Sequence, residues 1–155
     1  MVIDADGLNI ISEYDDLLKI ILKDSILTPH PKEFKRLVGA WTNDYEKLAK
    51  QIELSSELQC VVVLKGAYTS IAHHGKLYFN SSGNPGLASA GSGDVLTGII
   101  AGLLAQGYSS LEAAILGVYV HGRSADLAIV STESLESLTA MDCITYLGKV
   151  FNEFK

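Results

Sequence analysis

The five residues at positions 60–64, Cys-Val-Val-Val-Leu, form a continuous apolar run rich in β-branched side chains. Such a run is typical of a strand that is buried on both faces of a parallel sheet. Two shorter apolar segments, residues 2–3 and 26–28, also lead into loops, and helical patterns occur at residues 14–22, 33–38 and 44–53. This alternation of strands and helices predicts an α/β layered fold in which a mainly parallel sheet is flanked by helices.

The rest of the chain predicts a hairpin followed by helices. Residues 70–72 and 77–79 flank the sequence His-His-Gly-Lys, which favours two antiparallel strands. Apolar spacing predicts three more helices, at residues 93–105, 110–130 and 139–154. The 155 residues suffice for a core, and we predict a single domain over residues 1–155. Because the sequence opens on a buried strand, we expect an N-terminally truncated domain, the C-terminal portion of a longer one.

Composition argues against several classes of function. The net charge is −6 and no basic run occurs, so nucleic acid is not an expected partner. Asp4 and Asp6 interrupt the N-terminus, so we expect no signal peptide, and we expect no apolar segment to reach the roughly 20 residues of a membrane span. Cys60 and Cys143 lie far apart in apolar segments, which predicts two unpaired core thiols in a reducing, cytoplasmic compartment.

A glycine-rich loop runs into an apolar helix at residues 84–98, which read Asn-Pro-Gly-Leu-Ala-Ser-Ala-Gly-Ser-Gly-Asp-Val-Leu-Thr-Gly. Glycines let backbone N–H groups approach a ligand, and a helix start adds unpaired N–H groups and a positive dipole end. The loop therefore predicts a site for phosphate or another anion. Because an anion would repel Asp94, the place of this carboxylate suggests a base held beside a phosphate.

Two common phosphate motifs do not fit this loop. A P-loop has lysine after its last glycine, where this chain has Ser92. A dinucleotide fingerprint has a third glycine, where this chain has Leu96. The alternative to an anion site is an ordinary helix start, with Ser92 as the N-cap and Asp94 favouring the helix dipole.

Two other loops follow predicted strands, where open α/β sheets bind ligands. Lys65 and the backbone after it could contact nucleotide phosphates, or Lys65 could be exposed beside a strand-ending turn. His30 lies between Pro29 and Pro31, which fix its loop. It could face a substrate, or it could be an ordinary surface or core histidine. Glu33 could orient a hydrated magnesium ion.

Four motifs occur in order: Val-Ile-Asp-Ala-Asp-Gly-Leu-Asn at 2–9, Leu-Thr-Pro-His-Pro-Lys-Glu-Phe at 27–34, Val-Leu-Lys-Gly-Ala at 63–67, and the glycine-rich stretch with its helix at 84–101. With these motifs the chain resembles the ADP/ATP-dependent NAD(P)H-hydrate dehydratases, a branch of the ribokinase-like superfamily. That family repairs nicotinamide cofactors, NAD or NADP, that are hydrated at the C5–C6 double bond. It is thought to phosphorylate the new hydroxyl with ADP or ATP and then to eliminate phosphate.

The resemblance implies a role for each matching position. Asp94 would be the base that accepts the hydroxyl proton. Four residues would form the anion hole: Ala90, Gly91, Ser92 and Gly93. The adenine nucleotide would contact Gly93 and one loop: Lys65, Gly66, Ala67, Tyr68 and Thr69. The hydrate would contact three residues: His30, Asn84 and Asp94. Glu33 would orient Mg²⁺ through water.

The resemblance also bears on partners and on alternatives. Such proteins are often fused to, or act beside, an NAD(P)H-hydrate epimerase. A truncated α/β layer would expose apolar surface, which favours a homo-oligomer. Two other functions stay open: a kinase of the same superfamily that phosphorylates a vitamin precursor or sugar and stops there, and a nucleotide-binding fragment whose catalytic site is incomplete.

Overall fold

Residues 1–131 and 134–155 are described by a computed structural model. They divide into two units, Met1–Phe79 and Asn80–Lys155. The first unit contains a sheet with helices, and the second is helical. A single domain over residues 1–155 requires these two units to unfold together, and it stays a prediction.

The apolar segments of the first half become the strands of one sheet. Three strands run parallel, namely β1 (Val2–Ile3), β2 (Ile26–Leu27) and β3 (Val61–Leu64). A hairpin of β4 (Ser70–His73) and β5 (Lys76–Phe79) continues the sheet in the order β1-β2-β3-β4-β5. The α/β class is confirmed, and the hairpin makes the sheet mixed rather than mainly parallel. The cause is the two-residue turn at positions 74–75, whose left-handed residues bring the chain straight back.

Four helices belong to the described part of this unit: α1 (Asp6–Glu13), α2 (Asp15–Leu18), α3 (Pro31–Val38) and α4 (Asp44–Leu58). The loop expected after residues 2–3 is very short, because α1 begins at Asp6. Leu8 and Ile11, one turn apart, are buried and supply the apolar contact that holds this helix. The helix predicted at residues 14–22 is shorter, and it forms only α2.

Helix α4 is fixed to the sheet by buried polar side chains as well as by apolar packing. Phe34, Leu54 and Val62 belong to one buried cluster. The Gln51 amide donates to the carbonyls of Val62 and Ser70, at 2.9 and 3.0 Å. Because these bonds satisfy a buried amide, they fix the position of α4 against β3 and β4.

In its described residues, the second unit contains a 3₁₀ turn (Pro85–Leu87) and three long helices: α5 (Ser92–Ala105), α6 (Ser110–Ser131) and α7 (Ala140–Asn152). Helix α6 packs against both α5 and α7. Its small residues Ala125 and Ala128 contact a buried cluster with Cys143 and Tyr146. The three helices predicted from apolar spacing are thus confirmed.

Helix α6 alone, among the described residues, is long and apolar enough to meet the criterion for a membrane span. Its 22 residues have a mean hydropathy of 1.2 over the best window, and 56% of that window is buried inside the structure. The expectation that no segment reaches this length is therefore wrong. The same length and hydropathy occur in core helices of globular proteins, and the burial of α6 fits that case.

Both cysteines are buried and free, as predicted. Burial raises the pKa of the Cys60 thiol and of the Cys143 thiol. Because the reactive species is the thiolate, both groups are protected from oxidation and alkylation in the folded state.

Candidate functional site

The carboxyl ends of β1, β2 and β3 bring charged side chains together in the first unit. Asp4 follows β1 and Lys65 follows β3. The Lys65 Nζ lies 2.7 Å from the Asp4 Oδ1 and 3.9 Å from the Glu33 Oε2. The Asp4 and Glu33 side chains are only 9% and 6% exposed. Parallel strands end at one edge of a sheet, and this edge holds a nearly buried cluster of two carboxylates and one ammonium group.

His30 and Glu33 begin helix α3 with a reciprocal pair of hydrogen bonds. The His30 Nδ1 accepts from the backbone N–H groups of Lys32 and Glu33, and the Glu33 carboxylate accepts from the His30 N–H at 2.7 Å. This is a capping box, with Pro31 at the first helical position. Because the Nδ1 accepts, the proton of the neutral ring lies on the Nε2. The ring is 44% exposed, so its position is fixed while part of it faces solvent.

The loop from Lys65 to Thr69 is a closed turn. The Thr69 hydroxyl accepts from the Gly66 N–H and donates to the Gly66 carbonyl. The Tyr68 side chain is 75% exposed. The Lys65 side chain is only 21% exposed and its ammonium contacts Asp4 and Glu33, so the alternative of an exposed lysine beside the turn is wrong. The contact of Lys65 with nucleotide phosphates stays a prediction.

The described side chains do not provide a complete set of ligands for Mg²⁺. No group of three or more His, Cys, Asp or Glu side chains suited to a metal occurs within residues 1–131 and 134–155. The Glu33 carboxylate already accepts from the His30 N–H and lies near the Lys65 ammonium. Direct binding of Mg²⁺ by Glu33 therefore does not fit, and its contact through water stays a prediction.

The glycine-rich loop of the second unit ends at a helix start without a side-chain cap. Gly91 is the N-cap of α5, with a φ of 82° that favours glycine, and no side-chain hydrogen bond caps this helix in the described part of the chain. Ser92 is therefore not the N-cap, and that part of the alternative is wrong. Asp94 lies in the first turn of α5 and is exposed. The Ser92 N–H donates to the Ser89 carbonyl at 3.4 Å, so one of the four amides of the predicted anion hole has a partner within the loop. The anion hole stays a prediction.

Asn84 is engaged within the second unit. Its Oδ1 accepts from the Gly86 N–H at 3.1 Å, and its Nδ2 donates to the Asp126 Oδ1 at 3.0 Å. The other Asp126 oxygen accepts from the Gly83 N–H at 2.9 Å. The sequence reasoning missed Asp126. A carboxylate among the apolar and small residues of the second half of α6 is the signal that could have found it.

His121 contacts the start of α5 through Ser92. The Ser92 hydroxyl lies 3.2 Å from the His121 Nε2, and both side chains are buried. Burial lowers the pKa of His121 to about 4, against the opposing effect of a hydrogen bond with the Ser92 backbone. The imidazole is therefore neutral near pH 7 and acts as a hydrogen-bonding group.

The fold defines a class of protein. The structure of a ribokinase-like superfamily protein from Enterococcus faecalis matches 99% of this chain with a TM-score of 0.85 and 28% identity, and 52% of that protein is covered. The ribokinase-like fold predicted from the motifs is therefore confirmed.

The chain belongs to the carbohydrate-kinase family of NAD(P)H-hydrate dehydratases, whose model matches residues 1–147. The bifunctional NAD(P)H-hydrate repair enzyme Nnr of Moorella thermoacetica is 41% identical over 157 residues, which cover 99% of this chain and 29% of that protein. The ADP/ATP-dependent NAD(P)H-hydrate dehydratase of Bacillus subtilis, co-crystallised with ATP/Mg²⁺, matches with a TM-score of 0.85 and 34% identity over 99% of this chain and 55% of its own.

The chain spans less than half the length of the curated relatives that it matches. That it is the C-terminal portion of a longer domain stays a prediction.

Proposed function

We propose that this chain takes part in the ADP- or ATP-dependent dehydration of NAD(P)H hydrate. Membership of the dehydratase family supports the substrate. The observation that carries the chemistry is the start of α5, where Gly91 leaves the helix uncapped and Asp94 lies in the first turn. A helix start without a side-chain cap, beside an exposed carboxylate, combines a positive dipole end that stabilises an anion with a group that can accept a proton.

The reaction divides into two steps at this site. In the first, Asp94 accepts the proton of the hydrate hydroxyl, and the hydroxyl oxygen bonds to the terminal phosphorus of the nucleotide. The bond between that phosphorus and the bridging oxygen of the nucleotide breaks. The backbone of Ala90, Gly91, Ser92 and Gly93 stabilises the negative charge on the transferred phosphoryl group. In the second, the C–O bond to the new phosphate breaks and its electron pair leaves with inorganic phosphate. The adjacent ring carbon loses a proton to water, and the electrons of that C–H bond restore the C5–C6 double bond.

Other residues have supporting roles in the proposal. The turn Lys65–Thr69, together with Gly93, contacts ADP or ATP, and His30 and Asn84 contact the hydrate. His30 has a fixed, partly exposed ring that suits such a contact. Mg²⁺ accompanies the nucleotide and neutralises phosphate charge, and Glu33 would reach it through water. Co-crystallisation of the Bacillus subtilis enzyme with ATP/Mg²⁺ supports these two cofactors.

An epimerase for the same hydrate is the proposed functional partner, and the word bifunctional in the names of several relatives is consistent with it. We place the reaction in the cytoplasm, which suits two free cysteines. A homo-oligomer is the proposed assembly.

Product analysis tests the function directly. Purified chain is given NADH hydrate or NADPH hydrate with ADP or ATP and Mg²⁺, and the absorbance of the reduced nicotinamide and free phosphate are followed together. We expect equal molar amounts of restored reduced nicotinamide and of released phosphate. A stable phosphate ester would instead indicate a small-molecule kinase. ADP binding without turnover would indicate a nucleotide-binding fragment whose site is completed elsewhere.

A further inference from the structure

The first end of the glycine-rich loop is tied to helix α6 by three hydrogen bonds. The Ser82 hydroxyl donates to the Tyr119 carbonyl at 3.0 Å. The Gly83 N–H and the Asn84 amide donate to the two oxygens of Asp126, at 2.9 and 3.0 Å. Both carboxylate oxygens of Asp126 are therefore used to hold residues 83 and 84, and hydrogen bonds to a charged acceptor are stronger than neutral ones.

The backbones of the loop and of α6 are also in close contact. A Cβ placed on Gly122 would lie 2.7 Å from the carbonyl carbon and oxygen of Ser82. Gly83 has a φ of 102°, which favours glycine. The chain thus passes over α6 at a point where neither Gly83 nor Gly122 can carry a side chain without a shift of the backbone.

The second end of the loop is tied to the same helix. The Ser92 hydroxyl, at the first residue of α5, hydrogen-bonds with the His121 Nε2. The Ser124 hydroxyl donates to the His121 carbonyl at 2.8 Å, which adds a contact within the same turn of α6. Residues Tyr119, His121, Gly122 and Asp126, here called the α6 clamp, therefore hold the chain on both sides of residues 85–91.

We propose that His121 and Asp126 are positioning residues, which fix the two ends of the glycine-rich loop on α6. They thereby orient the backbone N–H groups that lie at the start of α5. The inference rests on the proposed function, in which those amides receive the phosphoryl group. A site that stabilises an anion works because its donors are already oriented before the charge develops. A glycine-rich loop loses much conformational entropy when it is ordered, so two anchors on a rigid helix supply that orientation.

A side-chain swap tests the clamp. In Asp126→Asn one acceptor of the carboxylate becomes a donor that faces the Gly83 N–H or the Asn84 amide. The double variant Asn84→Asp with Asp126→Asn restores every bond with the two roles exchanged. The new carboxylate at position 84 can accept from both the Gly86 N–H and the new amide at position 126, whose carbonyl oxygen accepts from the Gly83 N–H. The readout is the ¹H–¹⁵N spectrum of the unliganded protein, with amide hydrogen exchange at Gly83.

In Asp126→Asn we expect exchange at Gly83 to be at least about tenfold faster, since a bond to a charged acceptor is lost. We also expect the amide signals of Gly91 to Asp94 to move, and the affinity for added ADP to fall by about tenfold. The double variant should return the amide signals to their wild-type positions. Glu112→Gln is the matched control, because Glu112 is a carboxylate on α6 that accepts from the Ser109 N–H and hydroxyl and lies outside the α6 clamp.

Changes confined to residues 82–84, with Gly91 to Asp94 unmoved, would overturn the proposal. So would a double variant whose amides stay displaced as in Asp126→Asn. Because the spectra are recorded without nucleotide, they report on the clamp even if wild-type chain binds no ADP. That result would count against the proposed function, while restored amide signals would still support the clamp. Ser82→Ala removes the bonds of the hydroxyl to the Tyr119 carbonyl and to the Asn80 Oδ1 but keeps both bonds of Asp126, so it provides a milder variant with smaller shifts in the same amides.

Discussion

Asp94 is an exposed carboxylate at the positive end of a helix, where its charge costs little and its oxygens reach solvent. We expect Asp94→Asn to keep ADP affinity and to lose about 100-fold or more of the dehydration rate, since an amide cannot accept the hydroxyl proton. Initial rates with NADH hydrate measure this. Asp142→Asn changes a carboxylate in the first turn of α7 and should leave the rate unchanged. Wild-type turnover by Asp94→Asn would exclude it as the base.

Lys65 gives a second prediction at this scale, because its ammonium group lies between two nearly buried carboxylates. In Lys65→Met, Asp4 and Glu33 would lose their cation. We expect the free energy of unfolding to fall by about 2 kcal/mol or more, because breaking a largely buried pair leaves an uncompensated charge. Urea denaturation followed by circular dichroism measures it.

The control for Lys65 is a pair of similar distance on the surface. Lys47 lies 2.6 Å from Asp44, whose side chain is 85% exposed. Lys47→Met should change the unfolding free energy by no more than about 0.5 kcal/mol. If Lys65→Met were equally mild and only ADP affinity fell, the lysine would act on the nucleotide and the buried pair would have little structural weight.

His121 makes the stability of the protein depend on pH. Its pKa is lowered to about 4 in the folded state, below its ordinary value of about 6.5 when unfolded. The unfolded chain therefore binds the extra proton between these values, so stability is full above about pH 6.5 and is lost as the pH falls toward about 4. We expect this one group to contribute about 3 kcal/mol to that loss.

Comparison with His121→Gln isolates the contribution, because glutamine does not titrate but can still hydrogen-bond with Ser92. Urea unfolding from about pH 7 to about pH 4.5 should show a steeper loss in the wild type than in the variant. Parallel curves would mean that His121 protonates close to its ordinary pKa.

The elements show where sequence reasoning succeeds and where it stops. The run at residues 60–64 predicted a buried strand because strands with both faces covered need no alternation of polar residues, and β3 is fully buried. Helix α1 was missed because Asp4 and Asp6 suggest a turn, while the contacts of Leu8 and Ile11 come from the fold. The glycine-rich helix start was found from local sequence. The bond of Asp126 to Gly83 and the pairing of Lys65 with Asp4 were not found, because each joins residues that are distant in sequence.

Helix α6 allows a prediction about backbone contact. A Cβ at Gly122 would meet the Ser82 backbone at 2.7 Å, so Gly122→Ala forces a shift. We expect it to destabilise the protein by about 1–3 kcal/mol, as overpacking does. Gly148→Ala on α7 is the matched control, because nothing lies within 4 Å of its Cβ. Alanine there should be neutral or stabilise by roughly 0.5–1 kcal/mol, since it favours the helix. Equal effects at both positions would show that the close approach carries no cost.

At the scale of the whole molecule, each unit contains one buried free cysteine, Cys60 in the first and Cys143 in the second. A single domain over residues 1–155 predicts that both thiols become reactive in one transition, because small domains unfold cooperatively. Pulsed alkylation in increasing urea, read by mass spectrometry, should give both the same midpoint. Gly122→Ala, a change in the second unit, should lower both midpoints equally. If only the Cys143 midpoint fell, the units would unfold separately and the single-domain prediction would be wrong.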